Sequence, residues 1–214
     1  KELDIVGWDN PNCEKLWRYN QHYFDDLNAI GASKRFDLHI DLMLDWVSNN
    51  HPGQGIGWEP YPTSLRIVNW IKWCLKGYAL PNECLHSLAV QTRWLSRNLE
   101  WHILGNHLFA NAKALIFAGM FYRGEEAKQW LETGLGILEK EIPEQILQDG
   151  GHFELSPMYH SIVLEDVLDL INIFLAYPNI VRKEHVDLLK SVAIKMLQWL
   201  DIMCHPDGEI SFFN

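Results

Sequence analysis

The stretch GNHLFANAKALIFAGMFY, residues 105–122, sets the fold class of this chain. It is rich in Ala and Leu, which are among the residues that favour helix most. A break at Leu104-Gly105 precedes it, and Asn106 stands where a helix can begin. The sequence therefore predicts a helix over residues 106–122.

Helical patterns follow one another on both sides of this stretch. Apolar residues at helical spacing, with capping residues at the boundaries, mark each segment. Thr63 and Ser156-Pro157 look like helix starts, whereas Pro143 predicts a kink or a break. The predicted helices cover about residues 34–49, 63–77, 82–97, 106–122, 125–147, 156–176 and 183–203.

Seven helices of roughly 15–20 residues with short connections favour antiparallel helical hairpins. No fixed-period repeat is visible, so an incomplete or complete α/α toroid fits better than a four-helix bundle. We assign residues 34–204 to this all-α domain and residues 1–33 to an irregular, aromatic segment packed on it. Residues 205–214 contain a turn followed by Ile210, Phe212 and Phe213, which predicts entry into a strand.

The composition is that of a globular protein, with 48% hydrophobic and 21% charged residues in 214. The charge sum, 18 − 28 = −10, argues against a general nucleic-acid binder and against adhesion to anionic membranes. No membrane span and no signal peptide are visible. The compartment stays open, with a periplasmic or extracellular location slightly favoured over a cytoplasmic one. The ten Trp residues suit a core, and some of them a sugar-stacking cleft.

Motifs for metals, nucleotides and disulfides are missing. The four cysteines are far apart and form no CxxC pair, so we expect free, mostly buried thiols. His102 and His107 are five residues apart, which is not a two-ligand helix spacing, and Asp25-Asp26 suits a solvated or capping role. We therefore expect no metal and no other cofactor in this segment.

Three loops at helix starts concentrate polar and aromatic residues: residues 57–62, 100–107 and 149–160. Alternate helices of a toroid start on one rim, which would bring these loops around one cleft. Helix N-termini carry partial positive charge and favour anions.

Each candidate residue in these loops also has a structural interpretation. Asn106 could be only an N-cap, and His107 a buried histidine with its hydrogen bonds satisfied. Tyr159 could pack in the core, with its hydroxyl on a backbone carbonyl. Taken as a set, the three polar helix starts leave a structural role and a functional role equally open.

The chain resembles the N-terminal domain of the heparinase II/III-like family, a helical domain related to that of alginate lyases. The matching segments occur in order: LWRYNQHYFDDLNA (16–29), GWEPYPTSLRIVNWIKW (57–73), NLEWHILGNHLFANAKALIFAGMFY (98–122) and DGGHFELSPMYHSIVLEDVLDL (149–170). The resemblance implies a toroid followed by a C-terminal β-sandwich that this chain lacks, and PDGEISFFN (206–214) resembles the junction. It also implies β-elimination on a polysaccharide that contains uronic acid.

The site residues that the resemblance implies agree with the chemistry of that reaction. Removing the proton next to a carboxylate builds negative charge, which Asn106 would stabilise. His107 would be the base or a partner to the carboxylate, and Tyr159 the general acid or, in a syn elimination, also the base. Weaker candidates for contacting the sugar are Arg66, Trp58, Glu154 and His160. The expected partners are an anionic polysaccharide and the protein's own β-sandwich domain.

Two rival functions remain open at this stage. An inverting glycoside hydrolase with an α/α toroid would need two carboxyl groups roughly 6.5–9.5 Å apart, for which Glu59 and Glu154 are the best candidates. A non-catalytic carbohydrate-binding domain would keep the aromatic cleft but tolerate loss of Asn106 and Tyr159.

Overall fold

Helices account for the architecture of the described chain, residues 7–103 and 105–211 of a computed structural model. Within these residues no β-strand is formed, which confirms the all-α prediction. Three short 3-10 turns cover Asp25–Asn28, Ala32–Arg35 and Ile56–Trp58. The α-helices are α1 (Lys15–Gln21), α2 (Phe36–Asn49), α3 (Pro60–Leu75), α4 (Asn82–Ser96), α5 (Asn106–Phe121), α6 (Glu125–Gln145), α7 (Pro157–Ala176) and α8 (Lys183–Met203).

The helices are arranged in two layers. The inner helices α3, α5 and α7 are neighbours in space, since α5 packs against both of the others. Each inner helix also packs against the outer helix that follows it in the chain: α3 against α4, α5 against α6 and α7 against α8. This alternation of inner and outer helices is an incomplete α/α toroid, as predicted, and it places the starts of α3, α5 and α7 at one rim.

Helix α5 is the centre of the core. Thirteen of its sixteen residues are buried, so it is covered by the protein on almost all sides rather than on one stripe. Two glycines allow α6 to approach it closely: a Cβ on Gly119 would lie 2.7 Å from the Ala127 carbonyl oxygen, and one on Gly134 would lie 2.8 Å from the Ala112 carbonyl oxygen. Larger residues at these positions would force the two helices apart.

Most of the tryptophans pack in the core, as expected from the composition. Six of the ten, Trp8, Trp46, Trp58, Trp70, Trp73 and Trp130, are buried. Trp46 contacts both Trp58 and Trp70 through ring pairs with centroids 5.8 and 6.0 Å apart. These rings join the 3-10 turn before α3 to α2 and α3.

Two local expectations were wrong, and a third was wrong in part. Residues 1–33 are not wholly irregular, because α1 lies within them. Helix α3 begins at Pro60, so Thr63 is an internal residue whose hydroxyl contacts the Gly57 carbonyl oxygen rather than an N-cap. Pro143 lies in the last turn of α6, and the helix continues past it to Gln145, so the predicted break does not occur and the kink stays a prediction.

The last described residues form a turn closed by an isolated antiparallel bridge between Cys204 and Ile210. The predicted strand residues Phe212 and Phe213 lie outside the described residues, and the proposed division into domains stays a prediction. The four cysteines are free, as expected, although only Cys84 is fully buried. None of the described helices is long and apolar enough to cross a membrane.

Candidate functional site

The starts of the inner helices bring the three polar loops together. Tyr61, the second residue of α3, meets Asn106 and His107, the first two residues of α5. The Gln145 side-chain amide, which precedes the third loop, donates to the Gly105 carbonyl oxygen at 2.8 Å. The described structure therefore gathers these loops around the N-terminus of α5.

Asn106 and His107 are held by the same tyrosine. The Asn106 amide donates to the Tyr61 hydroxyl at 3.4 Å, and the His107 ring stacks on the Tyr61 ring with centroids 4.4 Å apart. Asn106 is not an N-cap, because the N-cap of α5 is Gly105. The structural interpretation of Asn106 as a capping residue is therefore wrong.

A buried carboxylate lies behind His107. Glu100 Oε1 is 3.0 Å from His107 Nδ1, and Glu100 Oε2 accepts a hydrogen bond from the Asn111 amide at 3.1 Å. Asn111 in turn accepts from the Glu100 backbone N–H at 2.9 Å. His107 is thus bonded from behind, while part of its ring stays exposed.

Tyr159 is the third residue of α7, whose start is capped as predicted. The Ser156 side chain accepts from the Tyr159 backbone N–H, and Pro157 is the first helical residue. Tyr159 is half-buried, and its phenol is near enough to influence Tyr61. Burial raises the pKa of Tyr61, and nearby Asp166, Tyr23, Tyr159 and Asp25 raise it further. Tyr61 therefore stays protonated at neutral pH.

Glu154 lies beside the first residues of α5. A Cβ built on Gly105 would be only 2.5 Å from Glu154 Oε1, so the carboxylate occupies the space that a side chain at position 105 would need. Gly105 also has φ +98°, a conformation that L-residues rarely adopt. Position 105 thus requires glycine for two reasons, and Glu154 reaches the rim of the candidate site.

His160 is a support residue and does not face the rim. Its Nε2 bonds the Met196 carbonyl oxygen at 3.0 Å, and its Nδ1 accepts from the His152 backbone N–H at 3.3 Å. Burial lowers the pKa of His160, and burial together with His160 lowers the pKa of His152 to about 4. Both rings are therefore neutral in the folded protein near pH 7.

The positions of Arg66 and Trp58 do not support the expectation that they bind sugar. The Arg66 side chain is fully buried, donates to Gln91 at 2.8 Å and lies 3.8 Å from the centre of the Trp46 ring. Trp58 is also in the core, with its indole N–H on the Asn50 carbonyl oxygen. Among the tryptophans of the described residues, Trp101 is the most exposed, and it lies in the loop next to Glu100.

A cavity of about 520 Å³ extends from Tyr61 and is lined by α3, α5, α7 and residues 20–29. Lys113 lines this cavity, and its ammonium group donates to Asp166 at 2.7 Å and to Asp169 at 2.6 Å. Burial alone would lower the pKa of Lys113, but the two carboxylates raise it, so the lysine stays charged. No group of three or more His, Cys, Asp or Glu in the described part of the chain is arranged to hold a metal ion.

Sequence reasoning missed Tyr61 and Glu100 as members of the site. Both lie in the loops that the sequence analysis identified. Their spacing in the sequence, however, does not predict a contact with Asn106 or His107. The pairing of Glu100 with Asn111 joins residues eleven apart across a turn, and that of Tyr61 with Asn106 joins residues forty-five apart. Only helix packing sets such contacts.

A known protein family matches most of this chain. The family model described as Heparinase II/III N-terminus matches residues 34–214, and the chain belongs to this family. A protein named heparin-sulfate lyase from Pedobacter heparinus is 36% identical in an alignment of 183 positions that covers 77% of this chain and 28% of that protein.

Solved structures confirm the fold. A structure titled heparinase III superposes with a TM-score of 0.68 at 21% identity, covering 92% of this chain and 33% of that one. The heparan sulfate lyase HepC from Pedobacter heparinus superposes with a TM-score of 0.64 at 21% identity, covering 96% and 35%. The chain thus spans about a third of these solved structures, and 28% or less of the curated relatives that it matches.

Proposed function

We propose that this chain is the helical part of a polysaccharide lyase that cleaves a uronic-acid-containing polysaccharide by β-elimination. The observation that carries the proposal is the cluster of Asn106, His107 and Tyr61 at the N-terminus of α5, in a chain of the heparinase II/III family. The relatives' names, heparin-sulfate and heparan sulfate lyase, support a uronate polymer as the substrate class.

Asn106 suits stabilisation of the uronate carboxylate. Removal of the C5 proton delocalises charge onto this carboxylate, so a donor is needed where charge develops. The Asn106 amide has a second N–H besides the one bonded to Tyr61, and it stands at the positive end of a sixteen-residue helix. Both features favour an anion at this point.

His107 and Tyr159 suit the proton transfers. A base takes the C5 proton, the electron pair forms the C4–C5 double bond, the C4–O bond breaks, and an acid protonates the leaving oxygen. His107 is the base or a partner to the carboxylate. Tyr159 is the acid, and in a syn elimination it could serve both steps.

The weaker candidates divide into two groups. Glu154 is exposed at the rim beside Gly105 and stays a candidate for contacting the sugar, whereas His160 would act only by supporting α7. We further propose that the β-sandwich domain of the full-length protein completes the site, and that the protein works in the periplasm or outside the cell.

The decisive experiment follows ultraviolet absorbance while the full-length protein acts on a panel of uronate polysaccharides. Elimination creates a conjugated double bond that absorbs, so an increase in absorbance with new chain ends supports the proposal. New saturated ends without absorbance would indicate a hydrolase instead. Glu59 argues against that rival, because its carboxylate is engaged by Lys15 and Tyr19. Binding without new ends would indicate a carbohydrate-binding domain.

A further inference from the structure

Glu100 forms a pair with His107 that differs from the other histidine–carboxylate pairs of the described residues. In the pairs His39–Asp26 and His185–Glu139 the histidine is buried and the carboxylate is exposed, with side-chain exposures of 59% for Asp26 and 51% for Glu139. In the third pair the order is reversed, with Glu100 8% and His107 30% exposed. The Glu100 carboxylate is therefore the buried member of this pair, and the His107 ring extends outward to the rim.

We propose that Glu100 is a positioning residue that fixes the tautomer and the orientation of His107, and thereby makes His107 the base. The proposal rests on the proposed function and deepens it, because it selects one of the two roles left open for His107. A buried carboxylate is costly unless it is hydrogen bonded. Such a group opposite a partly exposed histidine points to a task beyond packing.

The orientation of the Glu100 carboxylate is fixed from its other side. Asn111 is fully buried, and its amide donates both to Glu100 Oε2 at 3.1 Å and to the Ser64 hydroxyl at 3.0 Å. Its carbonyl oxygen accepts from the Glu100 backbone N–H. Because Oε2 is occupied in this way, Oε1 is the oxygen that faces His107.

The tautomer of His107 follows from this arrangement. An ionised carboxylate only accepts hydrogen bonds, so Nδ1 must carry the proton that it shares with Oε1. Nε2 then holds a lone pair, and no described residue is hydrogen bonded to it. Stacking on Tyr61 restricts rotation of the ring. When Nε2 takes a proton, the resulting imidazolium lies against a buried negative charge, which stabilises it.

Glu100→Gln tests this because it should reverse the tautomer. Asn111 donates to the Oε2 position and will therefore hold the glutamine carbonyl oxygen there, so that the new NH₂ group faces Nδ1. His107 must then accept at Nδ1 and carry its proton on Nε2, which removes the lone pair from the rim. In serine proteases the equivalent change at the histidine–carboxylate pair lowers kcat by about 10⁴ through the wrong tautomer. Here we expect a kcat loss of at least about tenfold, with KM little changed.

The experiment uses the full-length protein labelled with ¹⁵N-histidine, with the His107 signals assigned by comparison with His107→Gln. The imidazole ¹⁵N shifts should report Nδ1–H in the wild type and Nε2–H in Glu100→Gln. Glu139→Gln is the matched control, because it changes the carboxylate of a different histidine pair. It should alter neither the His107 signals nor kcat. Melting curves for every variant identify any that fail to fold.

Several outcomes would overturn the proposal. One is a wild-type His107 with its proton on Nε2, a measurement that does not depend on the folding of Glu100→Gln. Another is a folded Glu100→Gln that keeps both Nδ1–H and the wild-type kcat. Should Glu100→Gln unfold, the wild-type ¹⁵N shifts decide the proposal by themselves, with Nδ1–H supporting it and Nε2–H overturning it. A wild type that makes no absorbing product would instead refute the proposed function, while the ¹⁵N shifts would still decide the role of Glu100.

Discussion

The N-termini of α5 and α7 both present polar side chains at the same rim, but they hold them differently. At α5, Asn106 and His107 are bonded to Tyr61 and Glu100, so both are fixed in place. At α7, the Tyr159 side chain makes no hydrogen bond to any described residue, whereas the following residue, His160, is buried and bonded. A group that stabilises charge, or a base whose lone pair must face the substrate, gains from being fixed, whereas a group that passes a proton to a departing oxygen needs a free hydroxyl.

Tyr159→Phe tests the α7 side of this comparison, and we expect it to have the largest effect on the reaction rate. The ring and its packing stay, but the transferable proton is lost. General acid–base catalysis contributes about 10²–10⁴-fold, so the rate of the full-length protein should fall at least about a hundredfold. The thermal stability of the protein should be almost unchanged. Absorbance kinetics and a melting curve on one preparation measure both effects.

Tyr177→Phe provides the matched control, since Tyr177 directly follows the last residue of the same helix. It should leave turnover unchanged. If Tyr159→Phe also turns over at the wild-type rate per folded molecule, Tyr159 is not the acid.

Asn106→Ala tests the α5 side. Loss of one donor to a developing oxyanion typically costs about 10²–10³ in kcat. Because Asn106 is not the N-cap, the substitution removes no cap, and the free energy of unfolding should change by less than about 1 kcal/mol. Asn82→Ala, which changes the first residue of α4, is the control and should affect neither quantity. Normal turnover of Asn106→Ala would exclude Asn106 from the reaction.

His160→Phe tests whether His160 has a different role from its neighbour Tyr159 in α7. It leaves the Met196 carbonyl and the His152 backbone N–H buried without their partner, and we expect the protein to lose about 2 kcal/mol of stability. Turnover per folded molecule should stay within a few-fold of the wild type. Urea unfolding gives the stability, with exposed His86→Phe as the control. A rate loss as large as that of Tyr159→Phe would place His160 in the reaction itself.

The smallest effect should come from the pH dependence of stability near α7. Burial lowers the pKa of His152 to about 4, while an unfolded histidine titrates near 6.5. Between these values the unfolded state binds a proton that the folded state does not bind. His152 therefore contributes its full stability above pH 6.5 and loses it as the pH falls, by up to about 1.4 kcal/mol per pH unit.

Urea unfolding at pH 5.5 and 6.5 measures this slope. His152→Gln, which keeps a side-chain donor for Gln145, should be less sensitive to pH over the same interval by about 1 kcal/mol. Identical slopes for the two proteins would show that the pKa of His152 is the same in the folded and unfolded states, and would contradict this prediction.

Much of the fold could be predicted because helix formation is governed by neighbouring residues. The predicted bounds of α5, α7 and α8 agree with the structure to within one residue, and the Ser156-Pro157 cap is where the sequence placed it. The α3 boundary was missed by three residues. Thr63 is a good capping residue by type, but Pro60 starts the helix first.

The candidate site was predictable only in part. The sequence by itself determined the periodicity of the helices, the polar composition of the three loops and, through the family motifs, the choice of Asn106, His107 and Tyr159. It could not determine that Arg66 is in the core or that Glu100 lies behind His107. These facts depend on how α3, α4 and α5 pack, since packing joins side chains that are far apart in the chain and decides which of them water can reach.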